Sequence, residues 1–200
     1  MDDTAPAPDA PIRPGPADCL VIVDVQRDFM PGGPLGVPEG DAVVPVINAL
    51  SPRFAHVVAT QDWHPAGHSS FASEHPGRQP FETVEMPYGT QILWPDHCVQ
   101  GTPGAAFHPD LALDHADAVI RKGYRRAIDS YSAIRENDHE TPTGLAGYLR
   151  ERGIARLFFA GLALDFCVAW SVKDALGAGF EAVVIEDATR AIDLEGSRAA

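Results

Sequence analysis

The sequence predicts a single-domain α/β fold, three layers (α/β/α) built on a mostly parallel sheet. Three observations point there. The continuous apolar run at 19–23 has the unbroken hydrophobicity of a strand buried on both faces, and short apolar runs of strand type follow at 156–160 and 182–185. Stretches with helical spacing lie between such runs, over 41–50, 145–152 and 168–176. Polar residues able to do chemistry follow directly on the strand ends, where an open α/β sheet binds its ligands.

The chain of 200 residues is long enough for one domain with a full core. Its net charge of -13 would repel a nucleic-acid backbone or an anionic membrane face, so neither is expected as a partner. Three cysteines, Cys19, Cys98 and Cys167, make no disulfide framework and suit a reducing, cytoplasmic setting. No apolar run reaches membrane-span length, and the start lacks the apolar core of a signal peptide. There are no internal repeats, and nothing marks a second domain.

Residues 1–16 are rich in Pro, Ala and Asp without periodicity and read as a disordered tail, leaving 17–200 as the domain. The run 19–23 is the first strand, and Asp24 follows at its end. Seven Gly and Pro residues over 31–40 require a loop. Residues 41–50 read as a helix capped by Asp41, with Val43, Val44, Ile47 and Leu50 facing inward. Residues 55–60 form the second strand and 117–121 the third, with Lys122 just past its end. A helix over 145–152 stops at Gly153. The fourth strand, 156–160, turns through Gly161 into a helix carrying Val168, Val172, Ala175 and Leu176 on one side. The fifth strand spans 182–185.

Cys167 lies in the first turn of that helix, and Asp165 is placed as its N-cap. The positive end of a helix favours a thiolate, and amides of the same turn can hold a developing oxyanion. Taken alone, Cys167 reads equally as a small buried core residue, Asp24 as a loop cap and Lys122 as a solvated lysine. Their convergence at the carboxyl ends of neighbouring strands raises all three together.

The connection from 61 to about 110 is too long to be idle. It holds Asp62-Trp63-His64-Pro65 and, later, Trp94-Pro95-Asp96-His97-Cys98. Residues two apart in an extended segment point the same way, so Asp62 and His64 can reach one ion, with His97 arriving from the far end. One carboxylate and two imidazoles suit a single Zn, Fe or Mn ion with water in its open positions. His68, His75 and His108 read as surface residues or as supports of that site.

Together with Asp24-Val25-Gln26-Arg27-Asp28-Phe29, Lys122-Gly123, the run 94–104, and Gly161-Leu162-Ala163 through Cys167-Val168, these motifs occur in one order along the chain. In that order the sequence resembles the nicotinamidases of the isochorismatase-like cysteine hydrolase superfamily. The resemblance implies a Rossmann-like sheet of about six strands. It implies a triad of Asp24, Lys122 and Cys167, and an oxyanion hole from the amides of Ala163 and Cys167. It implies a cis peptide between Leu162 and Ala163, the metal on Asp62, His64 and His97, and an aromatic clamp from Phe29 and Trp94. Tyr131, in the loop around 129–132, completes the expected substrate-binding set. The implied activity is hydrolysis of nicotinamide, and of related amides such as pyrazinamide, in NAD salvage; the expected partner is this small-molecule substrate, and self-association as a homo-oligomer stays open. The rivals are a related amidohydrolase of another carboxamide or ureido compound and a non-catalytic metal-binding protein on the same scaffold. The resemblance also implies a further helix and a last strand; residues 194–200 show only an opening turn.

Overall fold

A computed structural model describes residues 13–194 and Ser197. The expected tail falls mostly on residues 1–12, and most of the expected opening turn falls on 195–196 and 198–200; both lie outside the described residues.

The strands of the main sheet are β1 (Asp18–Val23), β2 (His56–Asp62), β5 (Ala118–Lys122), β6 (Arg156–Leu162) and β7 (Glu181–Arg190). They lie in the order β5-β2-β1-β6-β7, and every pairing is parallel. β1 is central and buried at all six positions. Its side chains divide by parity, as a pleat requires. Leu20 and Ile22 enter one core with Val43, Val44 and Ile47 of α1 (Val43–Leu50). Cys19, Val21 and Val23 enter the other with Leu145 and Leu149 of α2 (Leu145–Glu151) and Ala175 of α3 (Ala169–Gly177). The three layers follow from this division. Among the described residues no helix is long and apolar enough to cross a membrane.

Several expectations are corrected. The main sheet has five strands among the described residues, one fewer than the resemblance implies. α1 begins at Val43 behind a 3-10 turn over Gly40–Ala42, so Asp41 sits in that turn and makes no capping bond. Each strand from β2 on runs past its expected end, because neighbouring strands keep pairing there. Lys122 is therefore the last residue of β5, in register with Asp62. The long connection also holds an antiparallel hairpin, β3 (Thr83–Met86) and β4 (Gly89–Ile92), that periodicity alone did not reveal.

Candidate active site

β1 and β6 run so close at their carboxyl ends that a Cβ on Gly161 would collide with the Val23 backbone. Gly161 has φ +112°, which glycine alone adopts readily. The contact sets the end of β6, where the Leu162–Ala163 peptide is cis, beside the end of β1, where Asp24 takes φ 48°.

Asp24 is fully buried. Its Oδ1 accepts a bond from Thr60 Oγ1 at 2.6 Å, and its Oδ2 meets Lys122 Nζ at 2.8 Å. Lys122, also fully buried, donates to Asp62 Oδ1 at 2.6 Å and to the Ser130 carbonyl at 2.8 Å, and stands 3.4 Å from Cys167 Sγ. One carboxylate oxygen each of Asp24 and Asp62 lies within 4.8 Å of Cys167 Sγ and of the other. The structure thus brings Asp24, Lys122 and Cys167 together.

Cys167 differs from expectation in two ways. Its turn, Leu164–Val168, is π-helical, with Val168 N bonded to the Ala163 carbonyl at 3.0 Å. Burial pushes its thiol well above the ordinary range; Lys122 pulls it back only in part, and the Asp24 and Asp62 charges push it further up. Desolvation outweighs the pull of Lys122 and favours the thiol over the thiolate. Asp165 does not cap the helix: Ala163 holds that position and no side chain bonds there. The Asp165 carboxylate is engaged elsewhere, by Ile192 N at 3.0 Å and Asp193 N at 2.9 Å.

Burial pushes the Asp24 carboxyl up, and the neighbouring Asp62 adds to this, against the opposing pull of Lys122; the carboxyl rests above the usual range. Burial acts the same way on Asp62, but Lys122 and the imidazoles outweigh it and hold Asp62 well below.

Asp62 Oδ2 faces His64 Nε2 at 3.4 Å and His97 Nε2 at 3.6 Å. His64 Nδ1 donates to the Gly123 carbonyl at 2.9 Å, and His97 Nδ1 to the Pro95 carbonyl at 2.8 Å. Carbonyls only accept, so both rings carry a proton on Nδ1 and turn Nε2 toward Asp62. Gly123 permits this approach, since a Cβ there would strike the His64 ring. Three converging donors, each tethered from behind, fit one divalent metal ion. His68 is not among them. Its Nδ1 is paired with Ser70 Oγ at 2.8 Å, and its Nε2 faces the Arg125 carbonyl at 3.0 Å. His75 binds the Ser69 carbonyl and His108 the Asp110 amide, both away from this cluster.

A pocket of about 330 Å³, part of it open to solvent, lies over these groups and is lined by Phe29, Trp94, Tyr131, Ala163, Cys167 and His97, among others. Trp94 Nε1 donates to Tyr131 Oη at 3.1 Å. Phe166, given no role from sequence, also lines the pocket, edge-on to Trp94 with centroids 4.9 Å apart. Ile192 and Asp129 complete the wall and were likewise missed. So were two supports. Gln26 holds Asp62 by both backbone groups, Nε2 to its carbonyl at 2.8 Å and Oε1 from its amide at 2.7 Å. Asp28 Oδ2 accepts the Cys98 amide at 2.7 Å, next to His97. Their only local signal was membership of the polar run 24–29.

The isochorismatase domain family matches residues 18–200. A nicotinamidase of Acinetobacter baylyi is 56% identical over 178 residues, 89% of this chain and 83% of the relative. A solved Acinetobacter baumanii nicotinamidase/pyrazinamidase superposes with TM-score 0.91 at 56% identity, covering 92% of this chain and 89% of that one. A Pyrococcus horikoshii pyrazinamidase solved with zinc gives TM-score 0.74 at 39% identity, covering 92% of each chain. On the match over 18–200 and on these identities, the chain belongs to the isochorismatase family.

Proposed function

We infer that this chain hydrolyses nicotinamide to nicotinate and ammonia through a cysteine thioester, as an amidohydrolase of NAD salvage in the cytoplasm. The observation that carries the reading is Lys122, which joins Asp24, Asp62 and Cys167 beneath a pocket lined by aromatic rings. A nicotinamidase with more than half its residues in common supports the substrate.

Asp24 takes the Cys167 thiol proton as the sulfur attacks the carboxamide carbon. Its raised pKa makes it a stronger proton acceptor than an ordinary carboxylate. The Lys122 ammonium, 3.4 Å from the sulfur, stabilises the thiolate as it forms. The carbonyl π electrons move to oxygen, and the Ala163 and Cys167 amides hold that oxyanion. Collapse breaks the C–N bond, and Asp24 passes its proton to the departing ammonia. Asp24 then removes a proton from water, which attacks the thioester; the carboxylate product leaves and the thiol is restored. Phe29, Trp94 and Tyr131 hold the ring. Asp62, His64 and His97 would hold zinc, iron or manganese, which when bound supplies a Lewis-acid contact for the ring nitrogen. Pyrazinamide, a ring of the same shape with the same carboxamide, falls within this pocket.

Ammonia release from nicotinamide by the purified, metal-loaded protein tests the reading. Turnover is expected. A protein inert toward nicotinamide but active on another carboxamide or ureido compound overturns it.

A further inference from the structure

The Asp165 carboxylate lies two residues before Cys167, yet its hydrogen bonds run to a segment about thirty residues further along the chain. Ile192 N reaches Oδ1 at 3.0 Å, while Asp193 N at 2.9 Å and Ser197 Oγ at 2.6 Å reach Oδ2. Asp193 takes φ 64°, a left-handed turn that Asp tolerates better than most residues and that presents two successive amides to one carboxylate. The chain leaving β7 is thereby folded back onto the turn that carries the nucleophile. Ala191 is buried under the fold-back, and Ile192 packs against the core beside Phe166. Ile192 forms part of the pocket wall.

We propose that Ile192 is a specificity-determining contact for the substrate ring and that Asp165 is its positioning residue. This rests on the functional reading above. The Cys167 sulfur, the Lys122 ammonium and the Asp24 carboxylate act on the carboxamide end, so they are blind to substituents on the ring. An aliphatic wall held from outside the sheet limits which ring substituents enter. It does so without touching the reacting atoms, because the strap is fixed through Asp165 and not through Asp24 or Lys122. An apolar wall discriminates by size, and one missing or added methylene is worth roughly 10-fold or more.

The test compares nicotinamide with ring-methylated nicotinamides as substrates, and nicotinate with ring-methylated nicotinates as ligands, in wild type, Ile192→Val, Ile192→Ala and Asp165→Asn. The Ile192→Ala variant is expected to raise KM for nicotinamide several-fold with little change in kcat, and to shift the methylated-to-unmethylated kcat/KM ratio by roughly 10-fold toward the larger ring. The Ile192→Val variant should shift it in the same direction by less. In Asp165→Asn one carboxylate oxygen becomes an NH2 that cannot accept, so either the Ile192 bond or the Asp193 and Ser197 bonds are lost, and the ratio should move as in Ile192→Ala while kcat is kept. A purely structural role would lower kcat and melting temperature together and leave the ratio unmoved. Wild-type activity with an unchanged ratio in both Ile192 variants overturns the inference alone. A wild type that neither turns over nicotinamide nor binds nicotinate overturns the functional reading and this inference with it.

Discussion

Lys122 and Asp62 are register partners across β5 and β2, and the lysine donates to the carboxylate at 2.6 Å. The two oxygens of Asp62 divide their work. Oδ1 takes the ammonium, and Oδ2 faces the Nε2 atoms of His64 and His97. One buried carboxylate therefore joins the thiol chemistry to the metal-binding cluster.

The first prediction follows from that arrangement. Lys122→Met would leave Asp24 and Asp62 buried without their cation. Breaking such a buried pair costs about 3–5 kcal/mol. We expect a large fall in melting temperature together with loss of ammonia release. A variant as stable as the parent would show that the two carboxylates do not depend on the lysine.

The second concerns the nucleophile. Cys167→Ala should melt like the parent and release no ammonia, and Asp24→Asn should be as inactive, because an amide cannot carry the proton. Cys19→Ala should keep most of the activity. Cys19 is buried inside β1, and burial pushes its thiol up to about 12. A small carboxamide-like electrophile should label Cys167 ahead of Cys19 and Cys98, as read by peptide mass spectrometry.

Metal removal is the third. Prolonged chelation should lower activity, and His64→Ala or His97→Ala should abolish stoichiometric divalent metal in elemental analysis. His68→Ala should weaken retention without emptying the cluster, because both its ring nitrogens are engaged by other partners. Active protein that contains no metal would contradict this assignment.

Fourth, benzamide should be a poor substrate. Stacking tolerates either ring, but benzamide lacks the ring nitrogen and leaves a buried polar partner unsatisfied. The expected penalty is about 1–3 kcal/mol in kcat/KM. His64→Ala should narrow the gap between the two amides. Equal turnover of both by the parent would show that the ring nitrogen is not read.

The fifth is a pH dependence of stability. Arg156 grips Asp18 with two bonds, 3.0 and 2.7 Å, where β1 and β6 begin. Burial raises the Asp18 pKa, but Arg156 and the Gly15 amide outweigh it and lower it below 3.8. A lowered folded pKa means that this stabilisation is complete above about pH 4 and is lost as pH falls through the folded value. Arg156→Met should cost about 1–2 kcal/mol at pH 7 and flatten the acid limb of a melting-temperature profile. Parallel acid limbs in parent and variant would refute it.

The central strands β1, β2 and β6 were legible because they are buried on both faces and so carry largely apolar runs. That Asp24, Lys122 and Cys167 meet was legible from their places at strand ends. What the sequence hid was set by distant partners. Asp165 has the residue type of a cap, but its partners lie near 192, so local chemistry pointed to the wrong bond. Asp28 serves an amide 70 residues away. Ile192 carries no mark of a pocket wall, because an isolated isoleucine after a strand looks like any core residue. The thiol's state depends on how fully Cys167 is desolvated, a quantity that only packing decides.

The pairing of Asp62 with Lys122 also bears on how the molecule reaches its working form. Adjacent residues of a strand face opposite sides, so a slip of one residue between β2 and β5 would carry the ammonium to the far face of the sheet. The reacting groups come from β1, β5 and the turn after β6, and contacts of such long sequence separation form late and slowly. A chain with one edge strand misaligned would retain nearly all its secondary structure and yet have no assembled centre. Recovery of activity after dilution from denaturant should therefore lag behind recovery of the far-ultraviolet signal, and the length of that lag would time the docking of β5.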